Sequence, residues 1–576
     1  MADATDLAAA RLGPTARQAA LDRMEDESFD VVVIGAGVTG TGCALDAVTR
    51  GLSVAVFDQR DLASGTSSRS SKLIHGGLRY LEQLNFRLVR EALHERGLLL
   101  NRLAPHLVTP VSFLYPLRHR IWERAYVGAG ILLYDLLAGR AGNPLPRHRH
   151  LSRGGAVGLV PGLRRDSLIG GIRYWDAHVD DARHTMTLAR TAAGLGAAVA
   201  TSVRATGLVR DGDRVRGVAA VCLESGRRLT VRGRVVVNAT GVWTDSIQDL
   251  VGSGSIRVTA SKGVHLVVPR ERIPSSSGLI VRTEKSVLFL IPFGRHWLIG
   301  TTDTPWDLDL AHPAASATDI RYVLDHINAV LEDPLEPSDI EGVYAGLRPL
   351  LSGESDATSK LSREHAVSVT APGFVTVAGG KYTTYRVMAE DAIDAAAAEL
   401  EERVPPSRTA ETPLLGAGGF HAMWDARHSI GGKAGLSAGV IERLLRRYGD
   451  RTPELMDLIE ARPDLAAPLP GGGGYLKAEI RYAASHEGAL HLDDALTRRT
   501  RISIETRDRG LEAADAAVAL LAPVLGWDAA AIVRELEHYR ARVAAERESQ
   551  TMPDDRTADA ARLGAPDVRT GSRPES

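Results

Sequence analysis

From Asp30 the run Val31, Val32, Val33 and Ile34 is continuously apolar and β-branched, the pattern of a strand covered on both faces of a parallel sheet. It runs directly into Gly35-Ala36-Gly37-Val38-Thr39-Gly40, after which residues 41–50 have helical composition and Ser53 to Phe57 forms a second apolar stretch ending at Asp58. This predicts a βαβ unit. Asp180 is placed to cap a helix running to about Gly194, and residues 197–201 read as the next strand. Val203 to Arg210 and Val215 to Leu223, separated by Asp211-Gly212-Asp213, predict a hairpin, with Arg234 to Asn238 as a further buried strand.

Between about residues 250 and 345 the stretches His265 to Val268, Val287 to Ile291 and Trp297 to Gly300 alternate with turns, which predicts a mainly antiparallel sheet inserted into the nucleotide domain. Val375 to Ala378 returns as a strand, and Tyr385 to Leu400 is helical in composition. Pro405-Pro406 marks a boundary, beyond which apolar residues recur at helical spacing from about Ile441 to Ala545. The expected organisation is a nucleotide-binding domain at 29–105, continued at about 176–250 and 365–402, a substrate-binding cap at 106–175 and 251–364, and a helical domain at 407–548. Residues 1–28 read as a flexible tail, and 549–576, rich in Asp, Pro, Arg and Ser, as a disordered one.

At 576 residues the chain is long enough for more than one core, and 44% apolar with 24% charged residues is ordinary for a globular protein. The 69 basic and 71 acidic residues leave a formal charge of −2, so no overall basic field exists to hold nucleic acid, and phosphate recognition must be local. Two cysteines, Cys43 and Cys222, lack the spacing of a disulfide framework or a metal site, and a reducing, cytoplasmic compartment fits. No signal-peptide pattern and no bilayer-length apolar run occurs; Ala125 to Gly139 comes nearest but is short and carries Asp135.

Gly35, Gly37 and Gly40 form G-x-G-x-x-G between a strand and a helix, which lets helix N–H groups approach a pyrophosphate, and Asp58 is spaced to accept a ribose hydroxyl. NAD and FAD both satisfy this fingerprint. Further along, residues 64–81 read SGTSSRSSKLIHGGLRYL, where small hydroxyl residues and glycines permit close backbone approach to a planar ring and to phosphates.

Ser71-Lys72-Leu73-Ile74-His75-Gly76-Gly77-Leu78-Arg79-Tyr80-Leu81-Glu82, Val237-Asn238-Ala239-Thr240-Gly241, Lys262-Gly263-Val264-His265, Gly300-Thr301-Thr302-Asp303, Gly346-Leu347-Arg348-Pro349-Leu350 and Gly379-Gly380-Lys381-Tyr382-Thr383-Thr384-Tyr385-Arg386 occur in that order. With these motifs the chain resembles, from Asp30 to about Glu546, the FAD-dependent, quinone-linked glycerol-3-phosphate dehydrogenases, within the D-amino-acid-oxidase-like flavoproteins. The resemblance implies an α/β fold class: a Rossmann-like FAD-binding domain, an inserted mainly antiparallel β substrate domain and an α-helical C-terminal domain. It implies FAD as cofactor, held by Gly35, Gly37, Gly40, Asp58, Ser64, Thr66, Ser67, Ser71, Lys72, Leu73, His75, Gly76, Thr240, Gly241, Gly379, Gly380, Lys381 and Thr383, and no metal. Where relatives carry Glu after the second strand, this chain has Asp58, and its Ala-rich N-terminal extension has no functional reading.

The implied reaction oxidises sn-glycerol 3-phosphate to dihydroxyacetone phosphate. A phosphate dianion needs guanidinium or ammonium groups, and Arg348, Lys381 and Arg79 are the matching positions, with Tyr80 either orienting substrate or packing. Hydride loss from C2 requires a nearby proton acceptor, for which His265 is the candidate, although a strand histidine also serves as a hydrogen-bonded core residue. Electrons then pass to a membrane quinone, which calls for peripheral docking at the inner face of the cell membrane. Arg118, His119, Arg120 and Arg124, with the apolar stretch from Tyr126 to Leu137, have the character to meet an anionic lipid surface, or to pack on the core. The helical domain is a place for self-association as a homodimer. Rival readings are an oxidase that hands electrons to oxygen and makes hydrogen peroxide, an amine or amino-acid oxidase, and a non-catalytic flavin sensor.

Overall fold

The computed structural model describes residues 8–82, 84–119, 122–139, 145–252, 254, 256–284, 287–352, 364–432 and 434–569, without the side chain of Arg79. The strand Ser28–Ile34 lies at the centre of an eight-stranded sheet, paired in parallel with Val54–Phe57 on one side and Arg228–Asn238 on the other. Ala198–Ala200 and Phe374–Gly379 extend the parallel part outward. Val31, Val32 and Val33 are fully buried, as the unbroken β-branched run demands of a strand covered on both faces. The helices Val38–Thr49, Asp181–Gly194 and Tyr385–Ala397 pack together over one face, and Asp180 accepts the Arg183 amide as the expected cap.

The second sheet has ten strands and is antiparallel except where Gly278–Arg282 meets Thr109–Leu117. Its long strand Val258–Pro269 is flanked by Gly342–Leu351 along one edge and by His296–Gly300 and Thr304–Trp306 along the other. The cap begins and ends slightly off the sequence boundaries. Leu73–Ile74, which falls within the expected nucleotide domain, and Gly170–His178, which runs past the expected cap boundary at 175, both join the cap sheet. The loop after the glycine turn thus ties the two domains together.

The helical domain has its own apolar core, built on Leu444, Leu455, Tyr482, Leu496 and Leu521. It docks on the nucleotide domain through buried ion pairs. Arg183 forks onto Glu487, Arg499 forks onto Asp61, and Arg501 reaches Asp180 and Asp181. Planar guanidinium matches carboxylate geometry, which suits Arg to such dry contacts.

Two tails are corrected by the structure. Pro14–Asp26 is a helix whose Ala20, Leu21 and Met24 are buried against the first sheet, and Arg17 donates to the Thr201 carbonyl. At the other end, Asp555–Arg562 is a helix, and the chain through Arg569 is pinned by Asp555 to Lys262, Asp567 to Arg60 and Arg569 to Asp494. Polar composition reads as disorder when the distant ion-pair partners are not visible. Among the described residues no helix is long and apolar enough to cross a membrane.

Candidate active site

A cleft of about 920 Å³ runs between the two sheets, from the glycine turn to the cap. Its first end is built by the βαβ unit. Gly35 has φ +101°, and a Cβ there would lie 2.8 Å from the Ala239 carbonyl; a Cβ on Gly40 would lie 1.9 Å from the Gly35 carbonyl. Only glycine permits this approach. Gly40 itself sits behind the cleft, under the turn that Gly35 and Gly37 present to it. Asp58 accepts the Ala36 and Arg60 amides, one on each carboxylate oxygen, at 2.8 and 2.9 Å, which aims it into the cleft.

The hydroxyl-rich loop lines the middle. Ser64, Thr66, Ser67, Ser71, Leu73 and His75 all reach the cleft. Ser67 Oγ accepts the Val38 amide at 2.9 Å, joining the loop to the helix start, and Thr66 donates to the Leu347 carbonyl beside Arg348. Two residues of this loop differ from expectation. Lys72 lies outside the cleft: it is fully buried, and its Nζ donates to Asp181 Oδ1 at 2.6 Å and to the Ser68 carbonyl. A buried ammonium needs a carboxylate, and Asp181 supplies it from 109 residues away. Gly76 likewise lies outside the cleft lining, against Leu93 and Tyr134.

Thr240 and Gly241 follow the strand Arg228–Asn238 and line the same cleft, with Thr240 held by Asn238. At the end of the neighbouring parallel strand, Gly379 and Gly380, both in the left-handed region with φ +79° and +76°, turn the chain into Lys381. The Gly380 amide is engaged by the Glu364 carbonyl. Thr383 locks this turn to the hydroxyl-rich loop by accepting the His75 amide at 3.1 Å.

The far end belongs to the cap. His265, on Val258–Pro269, stands opposite Tyr344 and Gly300 on the neighbouring strands. Its ring stacks on Tyr344, with centroids 4.8 Å apart and planes 10° from parallel. A Cβ on Gly300 would lie 2.4 Å from His265 Cδ2, so glycine there makes room for the ring. Burial, then the nearby Arg348 and Lys72 charges, hold the imidazole well below its usual titration range, so it is neutral. Arg348 donates from Nη1 to the Thr302 carbonyl at 3.2 Å and from Nη2 to Thr301 Oγ1 at 3.1 Å, with Asp303 3.6 Å away. Lys381 Nζ sits 3.6 Å from the centre of the Tyr80 ring. Arg79 begins the short helix Arg79–Glu82, but its side chain lies outside the described residues.

The structure therefore brings His265, Arg348, Lys381 and Tyr80 onto the wall of one cleft from distant segments of the chain. Sequence reasoning missed Tyr344 and the Thr301 to Asp303 support for Arg348. The Gly300-Thr301-Thr302-Asp303 motif was visible, but not its pairing with Arg348.

A family profile described as "FAD dependent oxidoreductase" matches residues 30–386, and one described as "C-terminal domain of alpha-glycerophosphate oxidase" matches 407–532. Glycerol-3-phosphate dehydrogenase 2 of Mycobacterium tuberculosis (strain ATCC 25618 / H37Rv) is 59% identical over 562 residues, covering 97% of this chain and 96% of the relative. The chain belongs to the FAD-dependent glycerol-3-phosphate dehydrogenases. The mitochondrial glycerol-3-phosphate dehydrogenase of Homo sapiens is 37% identical over 539 residues, covering 89% of this chain and 73% of the relative. The structure of a glycerol-3-phosphate dehydrogenase from Bacillus halodurans complexed with FAD aligns with a TM-score of 0.76 at 27% identity, covering 92% of this chain and 98% of the other.

As in that family, the cofactor is FAD. The cleft fits it: the glycine turn leaves backbone space that any Cβ would fill, the Asp58 carboxylate is held at the cleft wall beside that turn, and the volume extends past the hydroxyl-rich loop to the cap.

Proposed function

We propose that this chain oxidises sn-glycerol 3-phosphate at C2 to dihydroxyacetone phosphate and passes the electrons to a membrane quinone. The observation that carries the reading is the convergence of neutral His265 with the cations Arg348 and Lys381 on the cap end of the FAD cleft. FAD, when bound, supplies the hydride acceptor.

The chain's own residues do the rest. Arg348 and Lys381 hold the phosphate dianion, the first with a forked guanidinium fixed by Thr301 and Thr302, the second as a point charge above Tyr80. His265 takes the C2 hydroxyl proton. Its Nε2 is 2.9 Å from Ser71 Oγ, while Nδ1 has no partner among the described residues, and a neutral ring accepts a proton where an imidazolium could not. His75 packs edge-on to Phe289 and lies beside the isoalloxazine ring in this reading. An amino-acid substrate would leave the two cations without a phosphate to match.

For the exit of electrons, the helix Trp122–Leu137 leaves Trp122, Tyr126, Leu132 and Leu136 exposed by half or more, and Leu84 and Phe86 are exposed on a neighbouring segment. Apolar side chains facing solvent beside Arg118, His119 and Arg124 suit peripheral docking on anionic lipid at the inner face of the membrane.

The deciding experiment is anaerobic titration of the flavin absorbance with sn-glycerol 3-phosphate, followed by a quinone analogue or, separately, by air. Bleaching reversed rapidly by the quinone alone supports the dehydrogenase. Rapid recovery in air with peroxide replaces it with an oxidase, and a flavin that never bleaches overturns the substrate.

A further inference from the structure

The helix Trp122–Leu137 has an outward apolar face, but Tyr134 points inward and is only 1% exposed. Its hydroxyl accepts the Gly76 amide at 2.7 Å and donates to Asp176 Oδ1 at 2.7 Å. Asp176 is in turn paired with Arg96, whose guanidinium also reaches the Trp175 carbonyl. A buried phenol that accepts from an amide and donates to a carboxylate has both its own polar functions satisfied inside an apolar cluster.

Gly76 is the middle of His75-Gly76-Gly77. His75 is bonded to Thr383, two residues beyond Lys381, and Gly77, with φ +75°, turns the chain into the segment that carries Tyr80. The loop is therefore held on one side by the Gly379 to Thr384 turn and on the other by Tyr134. A Cβ on Gly76 would lie 2.6 Å from Leu93 and 2.8 Å from the Tyr134 ring, so the backbone is seated directly against the helix.

We propose that Tyr134 is a positioning residue, which sets the His75 to Gly77 loop at the cofactor cleft from the back of the helix Trp122–Leu137. The inference rests on the reading that this loop lies beside the isoalloxazine ring. Burial, reinforced by Asp176, raises the Tyr134 phenol well above its usual 10, so it remains a donor across the working pH range. Tyr134 does not line the cleft, so its effect passes through Gly76.

The test is Tyr134→Phe in the full-length holoenzyme, which keeps the ring and removes the hydroxyl. The expected result is retained FAD, a shifted flavin absorbance band and a loss of kcat of about tenfold from the displaced loop. The flavin midpoint potential should move as well, because backbone placement at the ring tunes its electronics. If Y134F does not fold, 3-fluorotyrosine placed at position 134 keeps the shape, alters the hydroxyl's acidity and must shift the same band. An unchanged band and potential in the folded variant overturn the inference. The potential needs no substrate, so failure of sn-glycerol 3-phosphate to bleach the parent flavin would sink the proposed reaction and leave this measurement decisive.

Discussion

Ser71 Oγ and His265 Nε2 are 2.9 Å apart, a contact that joins the hydroxyl-rich loop of the nucleotide domain to the long cap strand Val258–Pro269. It places the proposed base where the two domains meet. His265→Asn should retain FAD and lower kcat by about 10²- to 10⁴-fold, the usual range for loss of a general base. Because burial depresses the imidazole's titration, acidification from pH 8 to 6 should leave the parent's base unprotonated. A kcat/KM profile dropping with a pKa near 6.5 that vanishes in H265N would contradict the depressed titration, and a parental kcat in H265N would remove His265 as the base.

Arg348 is fixed by Thr301 and Thr302 before substrate arrives. Arg348→Ala should cost about 1.5–3 kcal/mol, or roughly 10- to 100-fold in kcat/KM, as expected for lost hydrogen bonds to a charged group. Lys at this position should recover only part, since the fork is gone. Comparing sn-glycerol 3-phosphate with glycerol reads the phosphate contribution directly; an equal loss on both substrates would remove Arg348 from phosphate binding.

Gly40→Ala places a Cβ 1.9 Å from the Gly35 carbonyl. The glycine turn must open, and the variant should purify without its flavin band. A yellow G40A protein with parental FAD content would mean that the turn does not bear on the cofactor.

Leu132→Glu combined with Leu136→Glu puts charge on residues already 50% and 67% exposed, so the fold should tolerate both. Cosedimentation with anionic vesicles should fall while activity with a soluble dye acceptor persists. Undiminished sedimentation would move the docking face elsewhere.

Histidine burial gives the stability a two-sided pH dependence. Burial lowers His178 to about 4, and burial lowers His184 to about 4 despite Asp181, so each stays neutral in the fold. The unfolded chain takes up their protons near about 6.5, so the stability they contribute is present above that and is lost as pH falls towards 4. His491 is the opposite case. Burial and Arg569 would lower it, but the hydrogen bonds its ring donates to the Glu224 and Glu535 carboxylates raise it to about 9. Its contribution is complete below about 6.5 and disappears as pH rises through 9, on the order of 3 kcal/mol. Urea unfolding of His491→Asn between pH 6 and 10 should show a flatter alkaline limb than the parent; an identical slope would exclude His491 as its source.

The glycine turn, Asp58, the capped helix after Asp180 and the hairpin across Gly212 were legible because their determinants are neighbours in the chain. His265, Arg348 and Lys381 were singled out through family motifs, and all three lie on the cleft wall. Lys72 was misread because a cation in a glycine- and serine-rich loop resembles a phosphate ligand until Asp181 is seen beside it. The terminal segments were misread for the same reason: Pro14–Asp26 and Asp555–Arg562 are too polar to announce a core, and Arg17, Asp555 and Arg569 find their partners far away.

The sequence by itself determined the nucleotide fold, the FAD fingerprint and the chemical types at the cap end, since periodicity, glycine spacing and local capping act over a few residues. Tertiary structure alone decided that Tyr344 stacks on His265, that Thr301 and Thr302 orient Arg348, and that Tyr134 reaches Gly76. Those contacts arise from sheet register and domain docking, where residues far apart in sequence meet because burying apolar faces leaves their polar groups no other partner.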